Sequence, residues 1–250
     1  MLTFWFPIWA RNKAFLTSGV APLWDAYKNL GEPFLADPQK AALYPPMWLT
    51  AGADFLGAVR IWIVFHALLV FSFTFLLFRR LKYDPAPALL GALLAAFNGY
   101  WAAKATLPNH LAAASWLPAI LYFQVEGKTR WLAAAVALQW LAGFPPFFLL
   151  SGALVLGAGV ARGRCEALET LKAYALGLAL CAVQWIPFLE MLARSDRGVM
   201  LDPKAALSYC ETARGLLMMI AVPLWAALFP SPGGDPAVMR LYWGCVPAAL

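Results

Sequence analysis

Three carboxylates, Asp25, Glu32 and Asp37, fall within the stretch Gly19 to Pro46, GVAPLWDAYKNLGEPFLADPQKAALYPP. Lys28 and Lys40 stand among them, and Trp24, Tyr27, Phe34 and Tyr44 separate the charges. A carboxylate can take a proton from a hydroxyl or bind a divalent ion, and a lysine or arginine can hold a phosphate. Five prolines and two glycines forbid a continuous helix here, because proline lacks the N–H donor and glycine relaxes the backbone. A solvated connector would share that composition. The density of aromatic residues and prolines favours an acid-bearing loop docked on a larger body.

Further along, polar groups stand beside strongly apolar runs. His110 follows Asn109 and lies near Lys104; Glu190 is followed by Arg194 and Arg197, with Gln184, Trp185 and Pro187 just before. Ionisable groups in or beside apolar surroundings are costly, so each is a functional candidate. The sequence predicts that the loop acids, His110 and the 190–197 segment meet at one pocket, with Gln39 and Asn109 on its wall. Plainer readings exist for several of them. Asn109 can cap a helix, Glu190 and Arg194 can form an i,i+4 ion pair, and His66 can be hydrogen-bonded between helices.

The element that must position these groups is a helical body. Hydrophobic residues make up 62% of the chain and charged residues 13%, with a mean hydropathy of +0.67. A soluble domain is about half apolar and about a quarter charged, so the composition predicts an all-α polytopic membrane protein. Continuous rather than alternating apolar runs argue against a β-barrel. The net charge of +6 is carried by short loops, which sets orientation in a bilayer and is no nucleic-acid signature. The four cysteines have no metal-ligand spacing. Nucleotide-binding glycine loops, HExxH and GxSxG are all absent from the sequence.

The runs predict about six or seven spans: 55–78, 86–103, 110–125, 131–143, 147–161, 171–188, and a segment within 205–229 that either crosses or re-enters. Residues 1–54 form an outer region, an interfacial amphipathic segment followed by the acidic loop, and 55–250 form the transmembrane domain. Basic clusters at Arg79–Lys82, Lys128–Arg130 and Arg162–Lys172 mark the cytoplasmic side, which puts the acidic loop outside. Pro7, Arg11, Asn12 and Lys13 interrupt the first apolar stretch too soon for a span. No cleavable signal is visible, and the end at Gly244–Leu250 reads as the opening of another helix, as in a fragment of a longer protein.

Ordered phrases add a resemblance. GVAPLWDAY from Gly19, GEPFLADPQ from Gly31, LYPP from Leu43, Asn109-His110 with ASWLP to Pro118, LAGFP to Pro145, QWIPFLE to Glu190 with Ser195-Asp196-Arg197, and LYWG to Gly244 together resemble the bacterial YfhO-like membrane proteins. The resemblance implies a GT-C-type glycosyltransferase architecture. Such proteins transfer a sugar from a polyprenyl-phosphate-linked donor to a cell-envelope acceptor at the outer face of the cytoplasmic membrane. It implies Asp25 or Asp37, with Glu32 third, as base or as ligand of a divalent ion (Mg or Mn). Lys104, His110 and Arg197 would hold the donor phosphate. The family pattern sets a transmembrane helix before the loop, often with an acid just after it, and often a histidine where Phe144 stands. Two other readings fit the same residues: a transporter or flippase of a lipid-linked solute, and a non-catalytic assembly factor that docks partners through Trp24 and Tyr27.

Overall fold

The computed structural model describes residues 2–28 and 30–195. Of the described residues 74% are helical and 2% in strands, so the described fold is all-α. Helix α1 (Leu2–Ser18) leads into an antiparallel pair, β1 (Trp24–Asp25) and β2 (Glu32–Pro33), a 3-10 turn (Pro38–Lys40) and α2 (Pro45–Trp48). The body follows as α3 (Phe55–Arg80), α4 (Pro85–Ala96), α5 (Gly99–Lys104), α6 (Pro108–Ser115), α7 (Leu117–Val125) and α8 (Thr129–Leu141). It closes with α9 (Pro145–Arg162), α10 (Arg164–Leu180) and α11 (Ala182–Ala193). Proline opens α2, α4, α6, α7 and α9 within the first two positions, where its missing N–H has no helical partner to lose. The Asp54 carboxylate accepts the Gly57 N–H at 2.8 Å and starts α3; Arg79 and Arg80 end it, each complementing the partial charge at its terminus.

α3 and α9 are long and apolar enough to cross a membrane, and the bent pair α10–α11, angled by 79°, would make a third span. The expected second span is divided into α4 and α5, and the third into α6 and α7 at Trp116. Pro118 explains the second break, because it cannot donate to the carbonyl four residues back. At about 1.5 Å per residue α4 is about 18 Å long, short of the roughly 30 Å hydrocarbon core. The expected segment 205–229 lies outside the described residues. Helix α1 runs unbroken through Pro7, with its Trp5 and Ile8 buried.

The helices meet through small residues and a few buried amides. α3 turns Ala58, Trp62, His66, Val70 and Thr74 inward, towards α4, α6 and α7. α4 answers with Ala88, Ala92 and Ala96. Where α8 crosses α10, a Cβ on Gly177 would lie 2.8 Å from Val136 Cγ1 and 2.9 Å from the Ala133 carbonyl; only glycine permits that approach. Gln139 donates to the Ala113 carbonyl at 3.1 Å and accepts from Ser151 at 2.5 Å, and Tyr174 donates to Ser151 at 3.2 Å, lacing α6, α8, α9 and α10 together.

Charges separate the two ends. Arg80 pairs with Glu126, Lys128 lies 3.4 Å from the same carboxylate, and Thr129 donates to Glu169 at 3.0 Å. The basic loop after α3, the loop before α8 and the start of α10 therefore share one end. The acidic loop packs at the other, against the start of α3 and the α8–α9 turn.

Candidate active site at the acidic loop

The loop is pinned to the body by Tyr44, which is fully buried. His66 Nδ1 lies 2.6 Å from the Trp62 carbonyl and must donate to it, so Nε2 is left to accept the Tyr44 hydroxyl proton at 2.8 Å. Trp116 Nε1 donates to the Tyr44 oxygen at 2.8 Å. Burial pushes the Tyr44 phenol above its ordinary pKa, only partly offset by the Trp116 hydrogen bond, so it remains a donor at neutral pH. His66 is thus a structural hydrogen-bond residue, but it ties the loop to α3 rather than one helix to another.

The β1–β2 register sets Asp25 opposite Glu32. Like charges directly across a strand pair repel, and cations from three places neutralise them. Arg11 Nε lies 3.1 Å from Asp25 Oδ1, and the Tyr27 N–H donates to the same oxygen at 3.1 Å. Lys28 Nζ lies 3.2 Å from Glu32 Oε1, and Lys40 pairs with that oxygen as well. Lys40 is 1% exposed, lies over the Phe34 ring at 4.8 Å and reaches Asp37 at 3.9 Å. Asn12 of α1 donates to the Lys40 carbonyl at 2.8 Å. Asp37 caps the 3-10 turn by accepting the Gln39 N–H at 3.0 Å. Burial raises its carboxyl pKa above the ordinary value, against the pull of Lys40.

Arg11 is held differently. Its guanidinium sits 4.7 Å from the Phe15 ring and 4.6 Å from the Tyr27 ring. Its buried Nε–H makes no well-aligned hydrogen bond, although Asp25 is within ion-pair range. The distance establishes a Coulomb contact that lacks the alignment of a hydrogen bond. Beneath the loop Arg11, Asp25, Tyr27, Lys28 and Lys40 line a groove of about 540 Å³, floored by Phe4, Ile8 and Phe34. Of the three predicted acids, Asp25 is the one on its wall.

Gln39 and Asn109 meet in a second, smaller hollow of about 50 Å³, walled by Trp5, Trp9, Met47 and Trp62. It is too small and apolar for a sugar. Asn109 is not the helix cap, since α6 begins at Pro108 with Leu107 before it. Its amide donates to the Gly143 carbonyl at 3.2 Å, and its Oδ1 is buried without a hydrogen-bond partner. Gly143, at φ 96°, brings the α8–α9 turn against the Pro38 carbonyl, where a Cβ would collide. The 3-10 turn, the start of α6 and the α8–α9 turn therefore converge.

Other predicted residues sit apart from the groove. His110 stacks on Phe144 with centroids 3.6 Å apart, and Lys104 is buried at the end of α5; neither lines either hollow. Glu190 pairs with Arg194 at 2.7 Å on an exposed helix face, as the spacing suggests. Arg197 lies outside the described residues. Among the described residues no three His, Cys, Asp or Glu side chains come close enough to hold a metal ion. Sequence reasoning missed Arg11 and the burial of Lys40; Arg11 and Lys13 read only as charges that end an apolar stretch too soon for a span. No protein-family model, curated protein or solved structure matches the chain.

Proposed function

We propose that the chain is a membrane glycosyltransferase, moving a sugar from a polyprenyl-phosphate-linked donor to a cell-envelope acceptor at the outer face of the bacterial cytoplasmic membrane. The observation that carries this reading is the groove in which one carboxylate, Asp25, lies among Arg11, Lys28 and Lys40. Sugar transfer from a phosphate makes two demands: a base for the acceptor hydroxyl and cations for the leaving phosphate. The resemblance to YfhO-like proteins supports the same chemistry. In this reading the broken helices complete a GT-C-like bundle of six or seven spans.

The donor phosphate enters beside Arg11 and Lys28 and draws the Arg11 guanidinium off Asp25. The freed carboxylate takes the proton of the acceptor hydroxyl, whose oxygen bonds to the anomeric carbon. The bond from that carbon to the phosphate oxygen breaks, and its electron pair leaves on polyprenyl phosphate. Arg11 and Lys28 thus take the phosphate role expected from residue type for Lys104, His110 and Arg197. The acids do not fit a divalent ion, because Asp25 and Asp37 each face a protein cation and cap different turns; no step is routed through one.

The test is turnover of polyprenyl-phosphate hexoses by the full-length protein in vesicles. Arg11→Gln should raise KM for the donor about tenfold or more, as expected for losing a charged hydrogen bond, with a smaller change in kcat. An unchanged KM would remove Arg11 from the phosphate site. A docking role is the second reading. It draws on the exposed tip formed by Val20, Leu23, Trp24, Tyr27 and Leu30. It predicts that Trp24→Ala matters and that carboxylate substitutions do not.

A further inference from the structure

Arg60 lies in the second turn of α3, on the exposed side of the helix. It shares that side with Ile61, Val64 and Leu68, all exposed, whereas Ala58, Trp62 and His66 face the core. Neighbouring cations at this end are engaged: Arg11 with Asp25, Lys28 and Lys40 with Glu32, and Lys13 with the Ala53 carbonyl at 3.0 Å. Arg60 has no ion pair and no hydrogen bond among the described residues. The nearest acid on its own helix, Asp54, is occupied by the Gly57 N–H.

A shallow groove of about 400 Å³ runs from the guanidinium along Leu49, Ile61, Val64, Phe65 and Leu68, and among the described residues Arg60 is its one charged residue. No Asp, Glu, Lys or Arg stands between Arg60 and Arg79. At about 1.5 Å per residue that stretch is about 28 Å long, close to the roughly 30 Å of a hydrocarbon core. With Arg79 at one boundary, Arg60 stands at the other, at the depth of lipid phosphates. A guanidinium at that depth can reach the phosphate layer, and its planar fork matches phosphate oxygens.

We infer that this groove holds one anionic glycerophospholipid from the leaflet on the side of the acidic loop. Its phosphodiester sits on Arg60 and one acyl chain lies along Ile61, Val64, Phe65 and Leu68. An anionic headgroup fits better than a zwitterionic one, because among the described residues the groove offers no carboxylate to a choline or ethanolamine ammonium. The inference rests on α3 crossing the bilayer, which the proposed function also assumes, and not on the chemistry of the Asp25 groove.

The test is native mass spectrometry of the full-length protein in mild detergent, with dioleoyl phosphatidylglycerol or dioleoyl phosphatidylcholine added. Wild type should retain one phosphatidylglycerol about fivefold more often than phosphatidylcholine, the increment of one arginine at an anionic surface. Arg60→Gln should erase that preference and Arg60→Lys should keep part of it. Asp25→Asn should leave it intact, so that failure of the sugar-transfer reading and failure of this one are told apart. Equal retention of the two lipids by wild type would overturn the inference. So would unchanged retention in Arg60→Gln, or a dimer mass that Arg60→Gln dissociates, since a second copy would then be the occupant.

Discussion

Replacing Tyr44 by phenylalanine isolates what fastens the acidic loop to the helices. The ring keeps its place against Trp62, 5.5 Å between centroids, and only the hydroxyl is lost. That oxygen accepts from Trp116 and donates to His66, both at 2.8 Å and both inside the protein. Its removal strands a buried donor and a buried acceptor. At about 1–3 kcal/mol for each unsatisfied group, Tyr44→Phe should destabilise the chain by about 2–6 kcal/mol. With about 2–4 °C per kcal/mol for a chain of this size, Tm should fall by about 4–24 °C. Thermal unfolding in detergent reads that shift, and hydrogen exchange should show the amides of 38–50 losing protection together. Combining Tyr44→Phe with His66→Leu should cost less than the two changes added, by about 1–2 kcal/mol, because the histidine is then no longer stranded. A Tm change under about 2 °C, or strict additivity of the pair, would refute the latch.

Two further outcomes follow from the same region. Gly143→Ala must place a side chain at φ 96° and against the Pro38 carbonyl. It should destabilise by about 1–3 kcal/mol and loosen the 3-10 turn in hydrogen exchange; a neutral effect would mean that the α8–α9 turn does not support the loop. Asp37 gives a pH signature. Its folded pKa is raised by burial, so the fold prefers the protonated form. That contribution is full below the unfolded value of about 3.9 and is lost as pH rises through the raised value. Asp37→Asn keeps an oxygen for the Gln39 N–H. Wild-type Tm relative to this variant should therefore be highest near pH 3.5 and fall towards about pH 7; a flat difference would contradict the burial argument.

How much was legible depends on the range of the forces involved. Helical content, the proline-led starts of α4 and α9, and the basic ends of α3 and α9 are local, and the sequence shows them directly. Docking of the loop was legible through Phe34 and Tyr44, both now almost wholly buried. Partner choice was not. Asp25 meets Arg11 through the packing of α1, a contact that no spacing rule encodes. Lys40 reads as a loop charge until its burial against Phe34 is seen. The stacking of His110 on Phe144, 34 residues distant along the chain, becomes visible only after α8 folds back. The division of the expected third span at Trp116 had a local cue in Pro118, but a continuous apolar run hid it.

The central claim is that Asp25, and not its neighbour Asp37, serves the transfer. The direct measurement is single-turnover release of polyprenyl phosphate from a polyprenyl-phosphate hexose by the full-length wild type, Asp25→Asn and Asp37→Asn, side by side in vesicles. Loss of a general base costs about 100-fold or more in rate, so Asp25→Asn should fall by at least that factor while Asp37→Asn stays within a few-fold of wild type. Turnover by Asp25→Asn at the wild-type rate would contradict the account.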